Sequence, residues 1–449
     1  MANFIVNLLL LLIVFILRDE ELRNVMGFIY LFQYGWFIYL TNKTNKYKVL
    51  TQYLKPSFLI VTYVCINCGI GSFTLDGEYG ILKDMIRIFN TAENFNLANA
   101  FFLFCNYIVY EVGNYFTYKY RKFNFEKSYE KLKIKKLVLV LAIFVFLIFS
   151  FIEFDLSFVG GVGSFSYLPK VVSFIFILIY LSSNKVNFRI VYYFISLIVF
   201  ALVSYESKRE IIFILVIVVF IENVYNPIKF SINFKSILLG TFAFSVFFFF
   251  IIVSSINRGY GNYDTNNIID AVKYIPDYVS SDLFKDAVAE NFEVNTVYGN
   301  ALNAADLYMS DKQETLYGET FLKALFVPIP RQVFDYKPDS MIQLYSPLVY
   351  TGKDFYITFP VLVYSELLWN FGIFFFIGLI LIVYILEKIF YSNYFNLNKK
   401  LSLKLILGLV VYTIFLQFVR GSGLDILVTY VIISIPFISL FITVNRLKI

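Results

Sequence analysis

Residues 358–372 read TFPVLVYSELLWNFG, and residues 326–340 read FVPIPRQVFDYKPDS. Both strings set proline, aromatic and charged residues against strongly apolar sequence. Both also lie in one polar stretch of about 110 residues, from Ser254 to Leu368. Elsewhere the chain is a series of apolar runs joined by about 5 to 20 residues, too few for a separate folded unit. Chemistry is therefore expected in the long stretch and at its two edges.

Composition sets the class of fold. Apolar residues make up 59% of the 449 and charged residues only 16%, against about 25% charged in soluble domains. A helix needs close to 20 apolar residues to cross ~30 Å of hydrocarbon. Twelve such runs occur, some of them short: 4–17, 25–40, 56–75, 96–116, 137–154, 167–183, 190–204, 210–224, 236–254, 369–387, 404–419 and 424–442. The expected fold is an all-α polytopic membrane protein with about 12 transmembrane helices and one large helical loop. Its parts are an N-terminal membrane region of helices 1–9 (1–254), the loop or lid (255–368) and a C-terminal membrane region of helices 10–12 (369–449). The first run ends at Arg18-Asp19 rather than at a small-residue cleavage site, so it is expected to remain as a helix.

Lys and Arg counts set the expected orientation. With both termini cytoplasmic, the inner connections hold 22 basic residues and the outer ones 15, of which 8 fall in the long loop. Loops of that length are exempt from the positive-inside rule, which leaves 7 against 22. The long loop then faces outward. The net charge of +6 agrees with this inner bias and with contact to anionic lipid, and gives no reason to expect nucleic acid.

Several chemistries are excluded. The chain has no histidine, which removes Ser-His and Cys-His nucleophile pairs and histidine bases. Cys65 and Cys68 form a C-x-x-C inside the third apolar run, with only Cys105 as a further soft ligand. A structural zinc site takes four ligands, so these thiols are expected to pack as apolar groups. No Walker or dinucleotide glycine loop is present, and GGVG at 160–163 reads as a turn. No cofactor is expected, and no metal: the acidic hairpin RDEELR at 18–23 reads as a solvated turn.

What remains is a set of outward-facing cations. In SYESKREIIF, Ser207 and Glu210 have capping-box spacing, so a helix should begin near Lys208. Arg209 then sits in a first turn whose dipole disfavours cations. VRGSGLDIL repeats the pattern, with Arg420 ahead of Ser422 and Asp425. A helix start beside an arginine suits phosphate; a charged tip pairing with Glu206, Glu210 or Asp425 explains it equally. Arg258 and Arg331 add two more cations, and Pro328, Pro330 and Pro338 stiffen the chain around Arg331 and Lys337.

The second string holds the candidate base. Glu366 and Asn370 are spaced i,i+4 and share a face if YSELLWNF is helical. Trp369 reads as an interfacial anchor, and Gly372 permits a bend into the next helix. A carboxylate at the apolar boundary is costly unless paired, and a salt bridge to one of the arginines is the plain alternative to a catalytic role.

The order of apolar helices, the S-K-R turn, one large outer loop with PIPR-x5-KP, and FP-x4-SE-x3-NFG before the next helix resembles the Wzy-type polymerases of O-antigen and other oligosaccharide repeat units. The architecture covers nearly the whole chain, the motifs about 40 residues. The resemblance implies a fold like the type C membrane glycosyltransferases, in the bacterial inner membrane. It implies transfer of a glycan from undecaprenyl pyrophosphate to a new lipid-linked repeat unit at the periplasmic face, possible cooperation with a chain-length regulator protein, and arginines on the pyrophosphate. The residues so implicated are Arg209, Arg258, Arg331 and Arg420, and the residues themselves add Lys337 as a further cation for the pyrophosphate. In the resulting catalytic pair Arg331 would stabilise the departing pyrophosphate and Glu366 would position or deprotonate the acceptor hydroxyl; Asn370 would contact sugar, and Tyr336, Tyr345, Tyr350 and Trp369 would stack on sugar rings or serve packing. A lipid-linked oligosaccharide flippase, an O-antigen ligase or another membrane glycosyl or acyl transferase would share parts of this pattern. The flippase has little use for the long loop, and the ligase relies on a loop histidine that is missing here.

Overall fold

The computed structural model describes residues 2–45, 50–74, 94–120, 134–151, 167–184, 186–193, 208–227, 268–281, 294–327, 336–349, 360–397 and 401–447, with 195, 245, 249, 252, 253, 256, 329 and 334. Among the described residues every regular element is helical. They are α1 (Ala2–Ile16), α2 (Asp19–Thr44), α3 (Pro56–Thr74), α4 (Phe95–Lys119), α5 (Lys136–Phe151), α6 (Tyr167–Ser183) and α7 (Lys208–Tyr225). Within the long stretch come α8 (Ile268–Lys273), α9 (Ile275–Val279), α10 (Val294–Met309), α11 (Glu319–Leu322), α12 (Met341–Val349) and α13 (Val363–Phe371), and after it α14 (Phe375–Asn396), α15 (Leu403–Gln417) and α16 (Leu424–Arg446).

Among the described residues, four helical stretches are long and apolar enough to cross a membrane: Pro56–Phe73, Val363–Asn396, Leu403–Ser422 and Leu424–Arg446. Ala2–Ile16, Lys136–Ser150, Leu168–Ser183 and Ile214–Tyr225 are shorter apolar helices. The runs expected at 190–204 and 236–254 lie largely outside the described residues. The helix expected at 369–387 is displaced: α13 ends at Phe371, Gly372 adopts φ 53°, ψ −130°, and α14 runs from 375 to 396. Hydropathy misses this break because WNFGIFF is apolar on both sides of it. A side chain at 372 would also meet the Tyr308 hydroxyl at 2.5 Å.

Hydrogen bonds sort the helix ends into two groups. At one end, Tyr30 of α2 and Tyr298 of α10 both donate to Asn99 Oδ1 of α4, each at 2.8 Å, and Asn96 donates to the Leu17 carbonyl at the end of α1. At the other, Asn223 donates to Thr51, Tyr225 to the Leu397 carbonyl and Tyr412 to the Leu54 carbonyl. Ser57 N–H at the start of α3 donates to the buried carboxylate of Glu387 at 2.8 Å. Between the ends, Asn7, Gln33 and Asn106 link α1, α2 and α4 through bonds of 2.8 and 3.0 Å, the interhelical polar contact expected where water is excluded. Cys65, Cys68 and Cys105 are all buried in this packing.

The middle of the long stretch supplies a core helix. Val297, Tyr298, Ala301, Leu302, Ala304 and Ala305 of α10 are fully buried, against α3, α4 and α13. Its alanines let the backbones approach closely, so polar composition overall conceals one tightly packed face.

Candidate functional site

α13 is fixed from two sides. The Tyr364 hydroxyl donates to Asn106 Oδ1 of α4 (3.0 Å), while Ser365 Oγ and Trp369 Nε1 donate to the Ala301 and Ala304 carbonyls of α10 (2.9 and 2.7 Å). These three bonds leave the Glu366–Asn370 face turned toward α11. Thr320 Oγ1 donates to Glu366 Oε1 at 2.7 Å, and its N–H donates to Asn370 Oδ1 at 3.2 Å. Asn370 Nδ2 in turn donates to Thr320 Oγ1 (2.9 Å) and to the Glu366 carbonyl (2.7 Å). Glu366 Oε2 is buried with no partner. Orphaned buried acceptors are rare and expensive.

A second buried carboxylate stands beside it. Asp425, in the first turn of α16, takes Lys323 Nζ on Oδ2 at 3.1 Å, both side chains being 12% exposed. Its Oδ1 is buried without a partner. Lys323 and Asp425 both act electrostatically on Glu366. Lys323 Nζ also donates to Gln343 Oε1 of α12 (2.7 Å), an oxygen that accepts from the Ser340 N–H and hydroxyl (2.9 and 3.1 Å). The end of the 326–340 string is thereby joined, through Gln343, to the ammonium that pairs with Asp425 and acts electrostatically on Glu366 of the 358–372 string.

The turn before α16 departs from the expected capping box. Phe418–Ser422 continue α15 as a π turn, and Gly423, not Ser422, occupies the N-cap. Gly421 has φ 109°, and a Cβ there would stand 1.7 Å from the Val361 carbonyl oxygen. The backbone entering α13 therefore crosses directly over the Arg420 turn. α7 is described from Lys208 onward; Ser207, the cap that the spacing predicts, lies outside the described residues, as does the side chain of Glu210.

The other expected residues fall as follows. Glu366 and Asn370 share a face and a hydrogen-bond network. Arg420 lies on the turn under Val361, five residues before Asp425. Lys337 Nζ donates to the Ile329 carbonyl at 3.4 Å. Tyr336 is 89% exposed, an open ring face beside Phe334. Trp369, expected at the interface, is enclosed instead: it is fully buried, spends its N–H on Ala304 and stands edge-on to Tyr345. Tyr345 is likewise enclosed, its hydroxyl donating to Asn300 and accepting from Asn303, and burial raises its phenol pKa. Arg258, Arg331 and Tyr350 lie outside the described residues, as do the side chains of Arg209, Asp19 and Glu20. By its backbone, the RDEELR hairpin opens α2 at Asp19.

Thr320 and Lys323 escaped sequence reasoning as site residues, and Asp425 entered it only as a cap or as a partner for the charged hairpin tip. The available signal was ETFLKALF, with polar residues three apart among leucines. Among the described residues, no group of three or more Cys, Asp or Glu converges to hold a metal ion. Comparison with family models, with curated proteins and with solved structures returns no match.

Proposed function

We propose that this chain polymerises undecaprenyl-pyrophosphate-linked oligosaccharide repeat units at the periplasmic face of the bacterial inner membrane, with about twelve spans and both termini cytoplasmic. The observation that carries the proposal is the meeting of the two strings. Glu366 and Asn370 of one string share Thr320 in a buried cluster, and Ser340, at the end of the other string, is joined through Gln343 to Lys323, three residues on from Thr320.

Glycosyl transfer breaks the bond between the anomeric carbon of the growing chain and the pyrophosphate oxygen. The bond from the acceptor hydroxyl oxygen to that carbon forms, and the hydroxyl proton must go to a base. Glu366 suits this role, because Thr320 fixes one oxygen and leaves Oε2 to receive the proton. Charge gathering on the departing pyrophosphate calls for preorganised cations, each worth about 2.7–4 kcal/mol when well placed. Arg209, Arg258, Arg331, Lys337 and Arg420 are the candidates, with Arg331 at the reacting end, and Tyr336 offers an open face to a sugar. The chemistry needs neither a metal nor a cofactor.

Deletion of the gene in a host that makes a surface polysaccharide tests this. The proposal expects single repeat units on the acceptor; complete loss of units would point to a flippase, and normal chain-length ladders would remove the proposal. Complementation with Glu366→Gln or Arg331→Ala should leave the single-unit pattern while the protein still inserts. Long chains from either variant would remove that residue from the mechanism.

A further inference from the structure

Residues 319–326 cover the Glu366–Asp425 site, and their polarity is inverted relative to a water-facing surface. Thr320 and Lys323 point inward onto Glu366, Asn370 and Asp425, and Ala324 is buried with them. Leu322 (49% exposed) and Leu325 (72%) point out, followed by Ile329 (36%). A segment in water would place its ammonium outside and its leucines inside. Charged side chains that face the protein interior with aliphatic ones outside are the arrangement required next to hydrocarbon.

Position agrees with polarity. The 323–326 turn packs on α16, and Lys323 pairs with Asp425 in the first turn of that helix. α16 has 23 residues, ~34 Å of helix at 1.5 Å per residue, against ~30 Å of hydrocarbon. Lys323 is thus level with the edge of the hydrocarbon. Ile373 and Phe374, just beyond the Phe371 ring on which Phe321 stacks, are exposed apolar residues as well. Tyr317 (86% exposed) and the exposed Glu319 mark where the segment starts, an aromatic and a charge of the kind found at headgroup level.

We propose that residues 319–329 lie in the bilayer leaflet at this end of the bundle, with Leu322, Leu325 and Ile329 among phospholipid acyl chains. The cover of the buried carboxylate site is then a lipid-facing wall and not a lid in the aqueous phase. This requires only that the chain spans a membrane, and it stands or falls independently of the polymerase assignment.

Spin labels at Leu322→Cys and Leu325→Cys, with Glu314→Cys as an exposed control on the same stretch, test it in phosphatidylcholine nanodiscs. The native cysteines are buried, so the label goes to the new position, and both leucines are exposed, so the fold tolerates the change. The expected result is that oxygen broadens the spectra at 322 and 325 more than a water-soluble nickel chelate does, with the reverse at 314. Preference for the nickel chelate at 322 and 325 would overturn the proposal by placing them in water. Protection from both agents would overturn it as well, since the residues would then be covered by protein.

Discussion

The Lys323–Asp425 pair allows a quantitative test of how the site is held together. Both side chains are 12% exposed, Nζ to Oδ2 is 3.1 Å, and Asp425 Oδ1 has no partner. Removing one member of a buried pair costs about 3–5 kcal/mol, because the remaining charge stays desolvated. Asp425→Leu should fall at the low end, about 3 kcal/mol, since Lys323 keeps its bond to Gln343. Lys323→Met should cost at least as much, because it strips the ammonium from a carboxylate whose other oxygen is already orphaned. The start of α16 returns only about 0.3–1 kcal/mol to that lone charge. The double variant carries no buried charge at either position and is expected to regain at least half of the summed loss of about 6 kcal/mol, giving a coupling of about 3 kcal/mol or more. Unfolding by denaturing detergent in mixed micelles, followed through Trp36 and Trp369, measures all four corners of the cycle. Trp369 lies on α13, which carries Glu366 and Asn370, and is bonded to α10, so its fluorescence reports the relevant region. A coupling below about 0.5 kcal/mol, the range of a solvated surface pair, would refute the claim that this pair is desolvated.

Further outcomes follow from the same geometry. Gly421→Ala should abolish accumulation of folded protein, seen as loss of the monodisperse peak on size exclusion, because its Cβ would overlap the Val361 carbonyl at 1.7 Å and φ is 109°. Thr320→Val removes the hydroxyl from both Glu366 and Asn370 and should destabilise by about 1–3 kcal/mol, whereas Thr320→Ser should keep most of the stability and the activity; paired unfolding curves decide. Under the proposed function, chelator should leave chain-length ladders from purified, lipid-supplied protein unchanged, and their loss would establish a metal requirement.

The helices were legible because hydrocarbon thickness dictates the length of an apolar run, and run boundaries such as Pro56–Thr74 and Tyr167–Ser183 follow directly. What escaped is whatever hydropathy does not encode. The bend at Gly372 was legible from the glycine itself, but its angles and the start of α14 at Phe375 leave no mark within uniformly apolar sequence. The burial of α10 depends on alanines stacked at 301, 304 and 305, a pattern that loses its contrast when averaged with Asn and Asp. At the site, the i,i+4 spacing of Glu366 and Asn370 was sufficient to place them on one face. Thr320 was not recoverable in that way, because its partner lies 46 residues later.

ETFLKALF reads equally well as a water-facing turn with two buried leucines or a lipid-facing one with a buried lysine; only the neighbour of Lys323 decides between them. That choice bears on how substrate could reach Glu366. α13 cannot retreat easily, since Tyr364, Ser365 and Trp369 are buried and bonded to α4 and α10. The cover is held more lightly, by the Thr320 contacts, the Lys323 contacts and the stacking of Phe321 on Phe371. Its first residue follows Tyr317 and Gly318, which have φ of 48° and 88°, so the chain can re-aim there without unwinding a long helix. Exposure of Glu366 Oε2 and Asp425 Oδ1 therefore has to come from displacement of 319–326. Because the outer face of that segment is leucine, the displacement would open the site toward the bilayer, the phase that under the proposed function holds the isoprenoid tail of the substrate while its charged pyrophosphate stays at the headgroup level.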